Sequence, residues 1–457
     1  MSEIVAFIPD LIFDYITVFT PLLFGVAPAL KTALASTSDA LKEGTRGATP
    51  GHARHRLLGI LVVAQFALAL ILSVGAGLLV RSFLRLLATD PGFRSERVAS
   101  VAVTLPAGRY ATGQQIKAFY QEAIQAARRA PGVVAAGAGN FLPLHVLERR
   151  TFVPDPSARE MPTLGRTTAA TWTAGSYLEA LGVPLRRGRF FTDADGRGGE
   201  RVIIISELLA KGLWPNQDPV GRHISWGVDE NHGPPMTIVG VVGDVKQSTL
   251  DTPTVAQTYV PLYQVADEAV ADTITGEFRT VNLVARSNRE PETLVAGIRG
   301  ELQRMDPALP IARAQALNEM IGDTVKPQRF SMTVVAAFAI IALALAAIGI
   351  YGVLANAVTQ QTHEIGVRMA LGAGRRDVIW MVLRRALALM AVGVAIGVAG
   401  ALALARVMAG LLYEVRPTDG TTFLTSALLL GALAVAASLV PAWRAARVDP
   451  LDALRVE

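Results

Sequence analysis

The run SMTVVAAFAIIALALAAIGIYGVLANAV, residues 331–358, decides the fold of this chain. No residue between Arg329 and His363 is acidic or carries an amino or guanidinium group. A bilayer core of about 30 Å requires roughly 20 apolar residues of helix, and buried helices of soluble proteins rarely stay uncharged for so long. We therefore predict that this run crosses a membrane.

Three further runs meet the same standard, at residues 57–80, 386–405 and 421–443, and in the first of them Gln65 is the only strongly polar side chain. The whole chain is 51% hydrophobic and 18% charged, below the roughly 25% charged residues of an average soluble protein. Its charged residues collect between the first two runs, in a large domain (residues 83–328). The predicted fold is an α-helical membrane domain with four transmembrane helices, plus a large periplasmic α+β domain between the first and second helices.

The arginines predict the orientation. The loop between the second and third runs holds five of them, Arg368, Arg375, Arg376, Arg384 and Arg385. Cytoplasmic loops carry an excess of Lys and Arg, so we place this loop and the C-terminus in the cytoplasm, and the large domain in the periplasm of a bacterial inner membrane. The predicted division is an N-terminal segment at 1–56, a first membrane helix at 57–82, the large domain at 83–328, and a membrane part with three helices at 329–457.

The large domain has a mixed pattern. Alternating or continuous apolar runs predict strands at residues 98–105, 133–136, 202–205, 237–242, 257–261 and 281–285. Helical periodicity predicts helices at 114–129, ahead of Pro131 and Gly132, and at 292–305, ahead of Pro307. Strand–helix–strand at one end and strand–helix at the other, with a strand-rich insert between them, predict one subdomain interrupted by another.

Catalytic patterns are missing from the sequence. The chain has no cysteine and no P-loop, and the histidines of the large domain, His145, His223 and His232, lack metal-ligand spacing. The pair Asp193 and Asp195 lies beside glycines and favours a turn over a catalytic dyad. We predict that the chain is not an enzyme, binds no cofactor and no metal, and binds no nucleic acid, since its basic residues form no nucleic-acid-binding motif.

The two ends of the chain carry similar sequences. An offset of 413 residues matches Pro28 with Pro441, and the run Asp39-Ala-Leu-Lys42 with Asp452-Ala-Leu-Arg455. This pattern indicates that residues 1–27 are the remnant of a preceding copy of the same module. Chance similarity between two alanine-rich helices is the alternative.

The residues after the second run carry a family resemblance. They read Glu364-Ile-Gly-Val-Arg-Met-Ala-Leu-Gly-Ala373, followed by Gly374-Arg-Arg-Asp377. With the four runs and the Pro441-Ala-Trp-Arg-Ala-Ala ending, the chain resembles FtsX-like permeases of the MacB type from about residue 57 to 457. The stretches 175–191 and 214–221 also look like the periplasmic core domain of that family. More narrowly, the repeat resembles the C-terminal module of duplicated permeases from acidobacteria.

The resemblance implies that residues 364–377 (the coupling segment) form a short cytoplasmic helix that docks on a separate ATPase, which would hold ATP and Mg²⁺. Glu364 and Arg368 are four residues apart on one helix face, while Ile365 and Met369 form an apolar strip beside them. The candidate docking residues are Glu364, Ile365, Gly366, Arg368, Met369, Gly372, Arg375 and Arg376. We expect Gly372 and Gly374 to end the helix before the third run. The alternative is that the arginines of this segment only fix the orientation of the chain in the membrane and that the segment binds no partner.

Small residues at Gly393, Gly397 and Gly400 predict close helix packing in the third run. The resemblance further implies a second permease module, identical or paralogous, contact with membrane lipid, and a periplasmic adaptor as a further candidate partner. The implied function is a permease subunit of a MacB-type ABC transporter that serves efflux or export. The alternatives are a scaffold or regulator of periplasmic enzymes, an orphan fragment of a duplicated permease, and a membrane-anchored periplasmic enzyme.

Overall fold

The computed structural model of the protein describes residues 51–144, 149–155, 158, 166–196, 198–228, 231–272, 276–361, 365, 367–369, 371 and 374–446. The repeated elements at 28–42 and 452–455 lie outside the described residues, as do His145, Glu364, Gly366 and Gly372. The described chain forms two compact units. One holds residues 66–348 and 391–437, and the other holds residues 349–390 with the described parts of 1–65 and 438–457.

The main helices are, in chain order, α1 (Gly51–Leu87), α2 (Gly113–Arg129), α3 (Tyr177–Leu181), α4 (Glu207–Leu213), α5 (Asp267–Ala271), α6 (Pro291–Met305), α7 (Leu317–Thr324), α8 (Lys326–Gln360), α9 (Arg375–Val407) and α10 (Gly420–Ala445). The strands are β1 (Val98–Thr104), β2 (Val133–Gly139), β3 (Arg149–Pro154), β4 (Thr167–Gly175), β5 (Leu185–Gly188), β6 (Val202–Ser206), β7 (His223–Val228), β8 (Asn231–His232), β9 (Met236–Val242), β10 (Gln257–Pro261), β11 (Thr280–Ser287) and β12 (Ile311–Ala316).

Four helices, α1, α8, α9 and α10, are long and apolar enough to cross a membrane. Each contains one of the four apolar runs that predict a membrane crossing. Within its most apolar stretch, 39% of the residues of α1 are buried inside the protein, against 22%, 17% and 22% for α8, α9 and α10. The first membrane helix therefore makes the most contacts within the chain, and the other three expose most of their surface.

The third membrane helix begins earlier than its apolar run predicts. The run begins at residue 386, whereas α9 begins at Arg375, so Arg384 and Arg385 belong to this helix and not to a loop. Hydropathy measures only the stretch that fits in a bilayer and overlooks a polar extension of the same helix. Here the buried residues Val378, Val382 and Ala386 continue one face of α9 through the charged part.

One part of the large domain packs helices against a sheet. This part, which we call the base, is the antiparallel sheet β2–β11–β1–β12 with α2 and α6 against one face. Thr112 caps α2 through a reciprocal pair of hydrogen bonds with Gln115, and Pro291 opens α6. The other face of the sheet buries residues of α3 and α7 together with Leu86 near the end of α1.

The strand-rich insert closes on itself. The strands β10, β6, β9, β7, β3 and β4 follow one another around a ring, because β10 pairs with β6 on one side and runs parallel to β4 on the other. We call this ring the barrel, and its core includes Phe152, Ile203, Ile224 and Ile238. The predicted interruption of one subdomain by another agrees with this arrangement.

Strand β4 joins the two parts. Its residues Thr167–Ala169 pair with β3 of the barrel, while Thr173–Gly175 pair with β2 of the base. At this junction the ring of Trp172 meets those of Trp226 and Phe278, each with centroids 5.3 Å apart in edge-on geometry. Edge-on pairs of this kind add to the stabilisation that aromatic burial provides. The base and the barrel are therefore joined by both backbone pairing and side-chain packing.

Candidate functional site

The coupling segment connects α8 to α9. The amide of Ile365 donates to the carbonyl of Gln361 at 2.9 Å, one helical turn back. In the same way, the amide of Leu371 donates to the carbonyl of Val367 at 3.0 Å. The backbone at Ile365 and at residues 367–369 is helical. The described part of the segment therefore has the helical backbone that the resemblance implies.

Gly374 and Asp377 explain why α9 begins at Arg375. The amide of Gly374 donates to Asp377 Oδ2 at 2.9 Å, and the amide of Asp377 donates to the carbonyl of Gly374 at 3.0 Å. A carboxylate at the third helical position that accepts from the capping residue satisfies one otherwise unpaired donor and interacts favourably with the helix dipole. Gly374 thus lies at the N-terminal cap of α9.

The apolar residues that are exposed in the segment are not those of the predicted docking strip. Ile365 is only 2% exposed, so it packs inside this chain and is not available to a partner in this conformation. Met369 is half-buried, whereas Leu371 is 83% exposed. The helical pattern places Ile365 and Met369 on one face but does not say whether this chain or a partner covers that face. Among the residues of the segment that the structure describes, Leu371 is the apolar residue with the greatest exposure.

Arg368 lies against the first turns of α9, where its Nη1 is 3.4 Å from Met381 Sδ. On α9 itself, Arg376, Trp380 and Arg384 follow one another along one face at intervals of four residues and are exposed. A tryptophan flanked by arginines is typical of the water–membrane interface. Among the described residues here, the exposed ones include Arg368, Leu371, Arg375, Arg376, Asp377 and Trp380. Sequence reasoning missed Leu371 and Trp380, although the spacing of Trp380 from Arg376 and Arg384 was a usable signal.

The glycines of α9 lie close to α1. A Cβ at Gly397 would be 3.0 Å from the carbonyl oxygen of Ala67 and 3.0 Å from Leu70 Cβ, and one at Gly400 would be 2.6 Å from Ile71 Cδ1. Gly393 is also buried. The absence of side chains at 397 and 400 thus lets the two helix backbones approach.

Asp195 of the large domain has structural partners. Asp195 receives hydrogen bonds from Arg189 Nη1 at 2.6 Å and Nη2 at 2.8 Å, and from the amide of Thr192 at 2.7 Å. The hydrogen bonds from Arg189 hold the pKa of Asp195 below its usual value. Asp193 is exposed. Among the residues that the structure describes, no cluster of three His, Asp or Glu side chains has the geometry to hold a metal ion.

Comparison with known families agrees with this architecture. A model described as "MacB-like periplasmic core domain" matches residues 58–301, and one described as "FtsX-like permease C-terminal" matches residues 336–450. Four apolar helices together with such a domain define an integral membrane protein of the ABC transporter permease class. The chain belongs to the MacB/FtsX-like permease family, since the first model alone covers more than half of its length.

Named relatives fall in the same class. The macrolide export ATP-binding/permease protein MacB of Neisseria gonorrhoeae is 25% identical over 298 residues, which are 63% of this chain and 43% of that protein. YknZ, an uncharacterized ABC transporter permease of Bacillus subtilis, is 28% identical over 290 residues, which are 62% of this chain and 68% of YknZ. This chain therefore spans less than half of the length of the MacB relative, whose name includes an ATP-binding part.

Two solved structures are also similar. The periplasmic region of MacB from Actinobacillus actinomycetemcomitans aligns over 53% of this chain and 98% of that one, with 12% identity and a TM-score of 0.35. The extracellular domain of YknZ from Gram-positive bacteria aligns over 47% of this chain and all of that one, with 17% identity and a TM-score of 0.29. These scores are low, and membership of the family rests on the family models.

Proposed function

We propose that this chain is the membrane subunit of a MacB-type exporter and that it couples ATP hydrolysis on a separate cytoplasmic ATPase to a conformational change of the large domain in the periplasm. Membership of the ABC permease family implies an ATPase partner. In the sequence, no P-loop accompanies the permease elements, so ATP and Mg²⁺ would be held by that partner.

The observation that carries the proposal is the exposed surface at the start of α9. Arg375 and Arg376 are exposed in the first turn of this helix, and Leu371, just before it, is 83% exposed. An apolar residue among cations is suited to a groove with an acidic rim on a partner. The capped start of α9 holds these side chains on a rigid element, so that a force applied to them enters a membrane helix directly.

The large domain lies between two membrane helices that could carry such a motion. Helix α1 ends at Leu87, ten residues before β1, and α8 begins at Lys326 after α7. In the proposed cycle, two permease modules pair, two ATPase subunits close on ATP, and the motion passes through α1 and α8 to the domains. Cargo then need not pass between the helices, which agrees with the absence of Asp, Glu, Lys and Arg from their central stretches.

Affinity purification tests the partner directly. Tagged protein is extracted from native membranes in mild detergent, and the proteins that co-purify are identified by mass spectrometry and tested for ATP hydrolysis. The proposal expects an ATP-binding-cassette ATPase in near-stoichiometric amount. Recovery of periplasmic cell-wall hydrolases without an ATPase would favour the scaffold or regulator instead, and recovery of neither would contradict the proposed coupling.

A further inference from the structure

The C-terminal end of α1 contacts the loop that connects α9 to α10. Arg81 Nη1 donates to the carboxylate of Asp419 and to the hydroxyl of Thr421. One residue on, Ser82 Oγ accepts a hydrogen bond of 2.8 Å from the amide of Tyr413. These residues are more than 330 positions apart in the sequence, so the contacts join distant parts of the chain.

Asp419 also caps α10. Its Oδ2 accepts hydrogen bonds from the amide of Thr422 at 3.1 Å, from the hydroxyl of Thr422 at 2.7 Å and from the hydroxyl of Thr421 at 2.8 Å. These bonds lower the pKa of Asp419 to about 2, and the bond from the Thr422 hydroxyl has the largest effect. The carboxylate is therefore ionised at neutral pH, and one side chain both starts α10 and binds α1.

Backbone proximity accompanies the ion pair. A Cβ at Gly77 of α1 would be 2.7 Å from Thr422 Cγ2 of α10, so the glycine allows the two helices to touch one turn before Arg81. Tyr413 packs against the core cluster of the base that includes Leu86 and Val325, and Thr89 Oγ1 donates to its hydroxyl at 3.3 Å. The loop is thus attached to α1 and to the base at the points where the chain enters and leaves the large domain.

We propose that Arg81 and Asp419 are positioning residues that hold the start of α10 against the end of α1 throughout the ATP-driven cycle, so that α10 contributes to the motion delivered to the large domain. This inference rests on the proposed function. An isolated, part-exposed ion pair contributes little to stability. Here the pair lies among a helix cap, a glycine contact and a half-buried tyrosine, which together align two membrane helices with one domain.

The chain has no cysteine, so a single engineered pair reports this contact. We choose Gly77→Cys with Thr422→Cys, because a Cβ at Gly77 would be 2.7 Å from Thr422 Cγ2, so the two positions lie side by side. The purified complex with its co-purified ATPase is oxidised without nucleotide, with ATP and Mg²⁺, and after trapping with orthovanadate. The proposal expects the same rate and yield of disulfide in all three states. A clear fall in the trapped state would show that the helices separate, which overturns the proposal.

A second variant tests the role of the ion pair. Adding Arg81→Gln to the cysteine pair should slow disulfide formation by roughly two- to fivefold, the range that a part-exposed ion pair supports. Arg81→Gln should also abolish the vanadate-dependent change in tryptic cleavage of the large domain, and forming the disulfide should restore that change. Arg416→Gln is the control, because Arg416 is an exposed arginine in the same loop. An Arg81→Gln protein that responds like the wild type overturns the proposal.

The proposed coupling and the proposed role of Arg81 and Asp419 are contradicted by different results. If nucleotide changes the cleavage of no variant, wild type included, then the proposed coupling fails and the role of Arg81 fails with it. If the wild type responds and Arg81→Gln responds equally, only the role of Arg81 and Asp419 is overturned.

Discussion

Gly397 of α9 lies directly against Ala67 of α1, where a Cβ on the glycine would be 3.0 Å from the carbonyl oxygen of the alanine. A backbone oxygen inside a helix cannot move away as a flexible side chain can. This contact therefore sets how closely the first and third membrane helices approach, and it supports a direct prediction.

We expect Gly397→Leu to destabilise the membrane part by roughly 1–3 kcal/mol, the usual cost of inserting a side chain into a packed interface. Gly352→Leu is the matched control, because a Cβ at Gly352 meets no other described atom within 4 Å. The measurement is thermal unfolding of the detergent-solubilised chain. Equal shifts for the two variants would show that the close approach of α9 to α1 is unimportant.

The junction between the base and the barrel supports a second prediction. The ring of Trp172 contacts two other aromatic rings, and the guanidinium carbon of Arg150 lies 5.1 Å from its centre. Arg150 in turn pairs with Glu277 at 3.0 Å. We expect Trp172→Ala to cost about 3–5 kcal/mol of unfolding free energy, as large core truncations do, and Trp172→Phe to cost less. Chemical denaturation followed by protease resistance of the large domain checks this, and an unchanged midpoint for Trp172→Ala would contradict it.

The Asp195 cluster predicts a dependence on pH. The folded pKa of Asp195 lies below its unfolded value of about 3.9, so its stabilisation is complete above that value and is lost as the pH falls through the folded pKa. Asp195→Asn should therefore cost roughly 1–3 kcal/mol at neutral pH, with a smaller difference from wild type near pH 3. Asp193→Asn, in the same turn but exposed, is the control. Denaturation midpoints at both pH values provide the measurement, and a difference that is independent of pH would rule out this role.

The local sequence pattern was enough to predict much of the fold. The predicted helix at 114–129 is α2 within one residue at its start, and the predicted strand at 202–205 is β6 without its last residue. Both have strong periodicity or a continuous apolar run. Strands β3 and β7 were not predicted, because they carry arginine, histidine and tryptophan and acquire their strand character by pairing with each other as neighbours in the barrel.

The details of the site depended on tertiary contacts. The burial of Ile365 and the pairing of Arg81 with Asp419 have no local signature, since one is decided by neighbouring helices and the other joins residues 338 positions apart. Capping chemistry was readable in principle, because Asp377 lies three residues after Gly374. The docking role of the coupling segment remains a prediction.

The most direct test of the coupling claim is the rate of ATP hydrolysis by the purified complex. The rate is measured for the wild type and for Arg375→Glu/Arg376→Glu, which reverses two exposed charges at the start of α9. The control is Arg416→Glu, beyond the other end of this helix. We predict that the double reversal loses the co-purified ATPase and its activity by at least about tenfold, as expected when close charge pairs at an interface become repulsive, while Arg416→Glu keeps both. Full retention of ATPase and activity by the double reversal would contradict docking at the coupling segment.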